Sequence, residues 1–228
     1  MSVIEVSCGC EVITDTATGI LRSSKKCVRH KRMRAKQPTG LAYYQGLGTV
    51  CHDGKPANVD TYVSEFIENM GDLEPACLHK SRLLLEVGCG MSPYVEYIRR
   101  RGYLYIGIDP DPQVAVWIQS TYGAKCYCGK FPECHVVQVD AILMAHVLEH
   151  IEDAPGALRE CHKSLKPNSC LYIIVPDDSD LANPDHLWFF SKSGLCSLLE
   201  SLNFAVAHAA EAQIVKKEKF IYIKARKQ

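Results

Sequence analysis

The sequence predicts an α/β fold built on a doubly wound, mostly parallel sheet of seven strands. Three observations predict it. From residue 83 onward, apolar runs of strand length alternate with stretches of helical periodicity over short connections, and strands that take turns with helices form parallel sheets with right-handed crossovers. Runs such as "LLLEV" (83–87) and "CLYIIVP" (170–176) are nearly continuous in apolar residues, as expected of strands covered on both faces. The last two runs, "FAVAHAA" and "KFIYIKA", alternate instead and suggest a closing antiparallel pair.

Each element follows in order. Residues 1–36 are polar, basic and cysteine-bearing; residues 37–59 are rich in Gly and Pro and read as a linker or lid; residues 60–228 form the α/β domain. Val63, Phe66, Ile67 and Met70 recur at helical spacing, so a short amphipathic helix is expected over 60–70. After strand 83–87, "PYVEYIRRRG" reads as a helix with Pro93 in its first turn and Gly102 past its end. "YLYIGID" is a second strand and "PQVAVWIQSTYG" a helix closed by Gly123. "AKCYC" and "AILMA" are the third and fourth strands. Asp153 is placed to cap the helix "APGALRECHKSL", and Ser191 to cap "KSGLCSLLESL", which ends at Asn203.

Bulk properties narrow the function. The 228 residues are 47% hydrophobic and 23% charged with zero formal net charge, an ordinary globular composition whose overall charge points to no partner. No apolar run approaches the roughly 20 residues a membrane helix needs, and "MSVIEVSCGC" lacks the pattern of a secretory leader. The expectation is a cytoplasmic protein without a membrane partner, its twelve cysteines free or on metal. The charge is uneven: Arg22, Lys25, Lys26, Arg29, Lys31, Arg32, Arg34 and Lys36 run without an acid among them.

A doubly wound sheet binds ligands at the carboxyl ends of its strands, where the strand order reverses. The first strand ends "EVGCGMSP". Gly88 and Gly90 permit a tight turn and a close backbone approach. The second strand ends in Asp109, 19 residues after Gly90, where a carboxylate can accept hydrogen bonds from a ribose diol. Dinucleotides and S-adenosylmethionine both fit. The third glycine of a dinucleotide fingerprint is absent, because Pro93 stands in its place.

Together "LLLEVGCG", "YIGID", "VDAILMAHVLEHIED", "SLKPNSCLYIIVPD" and "DHLWFFSKSGLCSLLESLNF" resemble the class I S-adenosylmethionine-dependent methyltransferases, in their broad branch with a "VLEH" segment after strand four. The resemblance runs from about residue 60 to the C-terminus and implies a Rossmann-like methyltransferase fold with S-adenosylmethionine as cofactor. It implies that Glu86 orders the glycine loop and that Gly88, Cys89 and Gly90 line the methionine end of the cofactor. Asp109 would hold the ribose with Pro110 beside the adenine, and Ala145, His146 and Val147 would close over the cofactor. Many relatives carry an acid after strand three that meets the adenine amine. This chain reads "CGKFPE" with Lys130 near that place, which leaves the backbone of Cys128 or Gly129 for the contact.

Methyl transfer from a sulfonium is an in-line displacement that mainly requires alignment, with a base only for a nucleophile that starts protonated. His186, on the loop after strand five with Trp188, is the candidate catalytic residue, as base or substrate ligand. The expected acceptor is an oxygen or nitrogen of a small metabolite, enclosed by residues 37–59 and the His186 loop. The alternatives are a nucleic acid guided by the basic N-terminus, or a cofactor-binding partner subunit without turnover of its own.

Two metal patterns complete the reading. His146, Glu149 and His150 match H-x-x-E-H, a zinc-peptidase pattern, but the strand before His146 and the new helix at Asp153 leave no room for the long helix such a site needs. Some small-RNA 2′-O-methyltransferases and ubiquinone-pathway O-methyltransferases resemble this chain here and hold a divalent metal with E-x-x-E-H, where this chain has His146 in place of the first glutamate. Bracing of the loop by Glu149 and His150 is the simpler reading. Upstream, Cys8-x-Cys10 and, sixteen residues later, Cys27-x-x-His30 offer four ligands in two close pairs, the makings of a structural zinc knuckle, with "TDTATGILRSS" between them as a small hairpin. Cys126, Cys128, Cys134 and His135 form a looser group.

Overall fold

In a computed structural model, the structure describes residues 3–5, 11–14, 21–23, 59–73, 82–134, 136–177, 186–213 and 219–228. In chain order the elements are β1 (Val3–Glu5), β2 (Glu11–Thr14), β3 (Leu21–Ser23), α1 (Val59–Met70), β4 (Arg82–Val87), α2 (Val95–Arg100) and β5 (Tyr103–Asp109). There follow α3 (Pro112–Tyr122), β6 (Lys125–Cys128), β7 (Val139–Ala145), a 3-10 turn (Leu148–His150), α4 (Ala154–Ser164), β8 (Leu165–Pro176), β9 (Trp188–Phe189), α5 (Lys192–Ser201), β10 (Phe204–Gln213) and β11 (Lys219–Lys227). No helix among the described residues is long and apolar enough to cross a membrane.

Seven strands pair in the order β10-β11-β8-β7-β4-β5-β6. The pairings from β8 to β6 are parallel, and β11 joins β8 and β10 antiparallel. Period-two alternation decides which side each strand residue covers. Leu85, Ile142, Ile173 and Ile223 pack beneath Leu158 of α4 and Leu195 and Leu199 of α5. Their neighbours Leu84, Leu143, Tyr172 and Tyr222 face Phe66 of α1, Ile98 of α2 and Ile118 of α3. A strand needs apolar residues in both registers to serve two cores, which is why β4 and β8 read as continuous runs. Phe66 anchors α1 to the sheet, its ring 5.6 Å from Tyr172 and 5.8 Å from both Tyr94 and Tyr97.

The expected caps are present. Asp153 accepts from the Gly156 N–H at 2.9 Å and Ser191 from the Gly194 N–H at 3.2 Å. Gly123 closes α3 in the left-handed region at φ 60°. Among the element ends that differ from expectation are two on either side of the sheet's centre. Helix α2 starts at Val95, not Pro93, because the Ser92 hydroxyl accepts from the Tyr94 N–H and holds 92–94 in a turn of its own. Strand β8 starts at Leu165, directly after α4, five residues before the apolar run that signalled it.

The hairpin expected between the two N-terminal ligand pairs exists as a backbone pairing of β2 with β3. Its second strand pairs antiparallel with β9, Leu21 opposite Phe189 and Arg22 opposite Trp188. Cys8, Cys10, Cys27 and His30 lie outside the described residues, as does the linker or lid before Val59.

Leu171 is fully buried at the centre of β8. Leu171→Ala is expected to lower the unfolding free energy by about 3 kcal/mol, read from chemical denaturation; a loss below about 1 kcal/mol would mean that this face of the sheet is loosely packed.

Candidate functional site

The chain leaves β4 for β5 and β6 on one side, then returns to β7 on the other. The strand order thus reverses between β4 and β7, and it is at such a switch point that an open α/β sheet takes its ligands. The amides of Gly88 and Cys89 both donate to the Ile108 carbonyl, at 2.7 and 3.2 Å. Asp109 receives the Gly90 N–H on Oδ2 and the Asp111 N–H on Oδ1, each at 2.9 Å. The Gly129 N–H donates to the Asp109 carbonyl at 2.9 Å, which brings Cys128 and Gly129 alongside, and the Cys128 thiol lies 3.7 Å from the Pro110 carbonyl.

Gly88 sits at φ 62°, where a side chain would be strained, and a Cβ there would lie 2.5 Å from a Val147 methyl. Only glycine lets the β4 and β7 loops approach so closely. The glycine loop, Asp109 and Pro110, Cys128 and Gly129, and Ala145 to Val147 are thus gathered at the carboxyl ends of four adjacent strands. The concave backbone at Gly88–Gly90 and the carboxylate of Asp109 suit the polar ends of an adenosine-bearing cofactor. The helix that follows contributes little, since α2 has only six residues.

Beneath the glycine loop is a polar group that periodicity alone did not single out. The Tyr105 hydroxyl donates to Glu86 Oε2 at 2.7 Å. Glu86 is 3% exposed. Loss of water pushes its pKa up to about 7, against the pull of the bonds from Tyr105 and Ser92 and with the charge of Asp109. Gly107 makes room for this group, because a Cβ there would meet Cys89 Sγ at 2.7 Å, Cys126 Sγ at 3.1 Å and the Tyr105 oxygen at 3.2 Å. The two sulfurs lie 3.6 Å apart. Cys126, Cys128 and Cys134 thus meet different neighbours, Cys134 packing on Gly129, while His135 lies outside the described residues.

On the other side of Val147 is a second cluster. The single 3-10 turn Leu148–His150 leaves no long helix for a peptidase zinc. It is bound to the loop after β8 by the Leu187 N–H on the Glu149 carbonyl and the Trp188 indole N–H on the Ile151 carbonyl, both at 2.7 Å. These bonds bring His186 to His150, their rings 5.1 Å apart. Glu149 Oε1 lies 3.8 Å from His150 Nε2 and 4.0 Å from His146 Nδ1. Glu149 is 1% exposed and its Oε2 has no hydrogen-bond partner among the described residues, an arrangement that costs on the order of 1–3 kcal/mol.

Burial raises the Glu149 pKa to about 7 against the opposing influence of His150. Burial, reinforced by His150 and His146, lowers that of His186 to about 3. Desolvation and then His150 also lower that of His146, although 41% of its side chain meets solvent. His146 is held at φ 57°, a strained conformation for a residue with a side chain. One ligand atom each of Glu149, His150 and His186 lies within 4.8 Å of the others, and two imidazoles with one carboxylate are a donor set that suits a divalent ion. The buried, unpartnered carboxylate oxygen fits such an ion too.

The Glu86 shift predicts a pH dependence. Its folded pKa is raised from 4.5 to about 7, so its contribution to stability is complete below pH 4.5 and is lost as pH rises through about 7. Glu86→Gln keeps an acceptor for Tyr105 without a charge to bury. It should exceed the parent in stability at pH 8 by up to about 3 kcal/mol, with little difference near pH 4.5. Urea denaturation at both pH values tests this, and an equal difference at both would refute it.

Comparison with known proteins bears on the fold and the family. The ubiquinone biosynthesis O-methyltransferase of Bos taurus mitochondria is 24% identical over 194 residues, covering 71% of this chain and 52% of its own length. The ubiquinone biosynthesis O-methyltransferase of Bradyrhizobium diazoefficiens is 28% identical over 121 residues, covering 50% of this chain and 46% of its own. The chain spans about half the length of the curated relatives it matches. In fold it resembles the 1,6-didemethyltoxoflavin-N1-methyltransferase of Burkholderia thailandensis, solved with 1,6-didemethyltoxoflavin and S-adenosylhomocysteine, at a TM-score of 0.61 and 14% identity with all of both chains covered. Residues 57–209 match the family model of a methyltransferase domain, which takes in both the glycine loop and the His186 cluster: the chain belongs to the methyltransferase-domain family.

Proposed function

We propose that this protein transfers a methyl group from S-adenosylmethionine to a hydroxyl oxygen of a small organic acceptor. The observation that carries the reading is the cluster of Glu149, His150 and His186 across Val147 from the glycine loop. It provides polar donors where an acceptor would lie, beside a pocket suited to adenosine. The relatives' names as O-methyltransferases support oxygen as the acceptor atom. The alternative acceptor, a nucleic acid, rests on the basic run 22–36, of which the structure describes only the backbone of Arg22 and Ser23.

The cofactor, when bound, supplies a methyl group already activated on a sulfonium. The chain's residues then have to bind, align and exclude water. In this reading the Asp109 carboxylate receives the ribose hydroxyls. Backbone at Gly88, Cys89 and Gly90 accommodates the methionine end, and Glu86 holds that loop from below. Pro110, Cys128 and Gly129 border the adenine. Ala145, His146 and Val147 separate the cofactor from the acceptor.

Glu149, His150 and His186 would hold a divalent cation, which as a Lewis acid lowers the pKa of an acceptor hydroxyl. A pKa near 3 makes His186 a poor proton acceptor and keeps it a neutral donor ligand. The position of His186, expected as base or substrate ligand, is therefore assigned to orientation of the acceptor. In this reading Glu149 is the anionic ligand of the cation, and the acceptor hydroxyl that the cation acidifies would release its proton to water.

Incubation with methyl-labelled S-adenosylmethionine and fractionated cell extract tests the reading. Label is expected in a small-molecule fraction, with turnover reduced about 100-fold or more in His186→Ala and Glu149→Gln while cofactor binding persists. Label entering nucleic acid, or unaltered turnover of His186→Ala with intact cofactor binding, would overturn it.

A further inference from the structure

We infer that this site selects a borderline transition-metal ion such as zinc over magnesium, and that His146 sets the selection. The inference rests on the reading that Glu149, His150 and His186 hold a divalent cation. It concerns which ion, and which residue decides.

The donor set is poor in oxygen. Within reach of one another are a single carboxylate and two imidazole nitrogens. Magnesium demands oxygen ligands in near-octahedral array and gives up its waters reluctantly. Imidazole suits zinc and its neighbours in the first transition row, and two histidines with one carboxylate recur in open zinc and iron sites. The surroundings point the same way. Glu149 and His186 are 1% and 7% exposed, so the floor of the site has little room for an ion that keeps its hydration shell.

His146 tilts the balance further. Three residues before Glu149 it adds a third imidazole, where a glutamate would add another hard oxygen. Its N–H donates to the Ile174 carbonyl at 2.8 Å and its backbone is held at φ 57°. That conformation carries the chain out of the sheet at the end of β7. Its ring rests edge-on against Phe220, centroids 4.9 Å apart, with Nδ1 4.0 Å from Glu149 Oε1. Ligand atoms bonded to one ion at about 2.1 Å stand no more than about 4.2 Å apart. The separations of 3.8 and 4.0 Å around Glu149 already satisfy that bound, and the 4.8 Å limit for the three-residue group requires only a small contraction.

The test uses full-length protein stripped with a chelator and titrated with cobalt(II), whose visible absorption reports a bound ion without any turnover. A Cys8→Ser/Cys10→Ser variant removes the N-terminal thiols as a competing source. The expected result is one equivalent of cobalt that persists in that variant and is lost in His150→Ala, whose side chain is 42% exposed and tolerates truncation. Zinc should displace it at stoichiometric amounts, and magnesium only at about 100-fold excess or more. In His146→Glu the preference over magnesium should fall by about 10-fold or more. Absence of a cobalt signal, or a signal lost with the cysteines and retained in His150→Ala, would overturn the metal reading itself. Displacement by equimolar magnesium in the parent, or an unchanged preference in His146→Glu, would leave that reading standing and overturn the selectivity.

Discussion

The pocket depends on one carboxylate. Asp109 ends β5 with each oxygen bound to a backbone amide, Gly90 on one side and Asp111 on the other. The first bond fixes the glycine loop after β4, and the second fixes the turn that starts α3. The Asp109 main chain adds the bond from Gly129. Three loops from three strands are thereby set at one residue. Charge-assisted bonds of this kind are about twice as strong as neutral ones. They hold because Asp109 is 5% exposed and water competes little for them.

The strand order makes such a joint useful. Because β4 and β7 are neighbours while the chain between them passes through β5 and β6, the loop from β7 meets the glycine loop from the far side. Val147 closes against Gly88 with no room for a Cβ. Past that contact the turn at Glu149 and the loop at His186 are bound to each other through two backbone acceptors. Pocket and cluster thus share one wall, the arrangement that the proposed methyl transfer by alignment requires.

Much of this was legible in the sequence because it is local. The two glycines after β4, the acid at the end of β5 and the caps at Asp153 and Ser191 are set by short-range spacing and turn chemistry. Strand identity followed from apolar runs long enough for two buried faces. What could not be read was the meeting of distant side chains. His186 and Glu149 are separated by α4 and all of β8, and nothing in spacing announces that the Leu187 amide binds the Glu149 carbonyl. Tyr105 gave only a weak signal, a polar-tipped residue two positions before a glycine in an otherwise apolar strand. The start of α2 departs from the pattern, because Pro93 suits a helix's first turn, yet the Ser92 hydroxyl holds a separate turn there.

The central claim is that the strand ends around Asp109 bind the cofactor. Titration calorimetry of S-adenosylhomocysteine with the parent and with Asp109→Ala tests it most directly. Binding to the parent at a single site, weakened about 100-fold or more in the variant, is the predicted result, since the variant loses both the carboxylate acceptor and the bond that sets the glycine loop. Equal affinity of parent and a folded Asp109→Ala protein, or no binding to the parent at all, would contradict it.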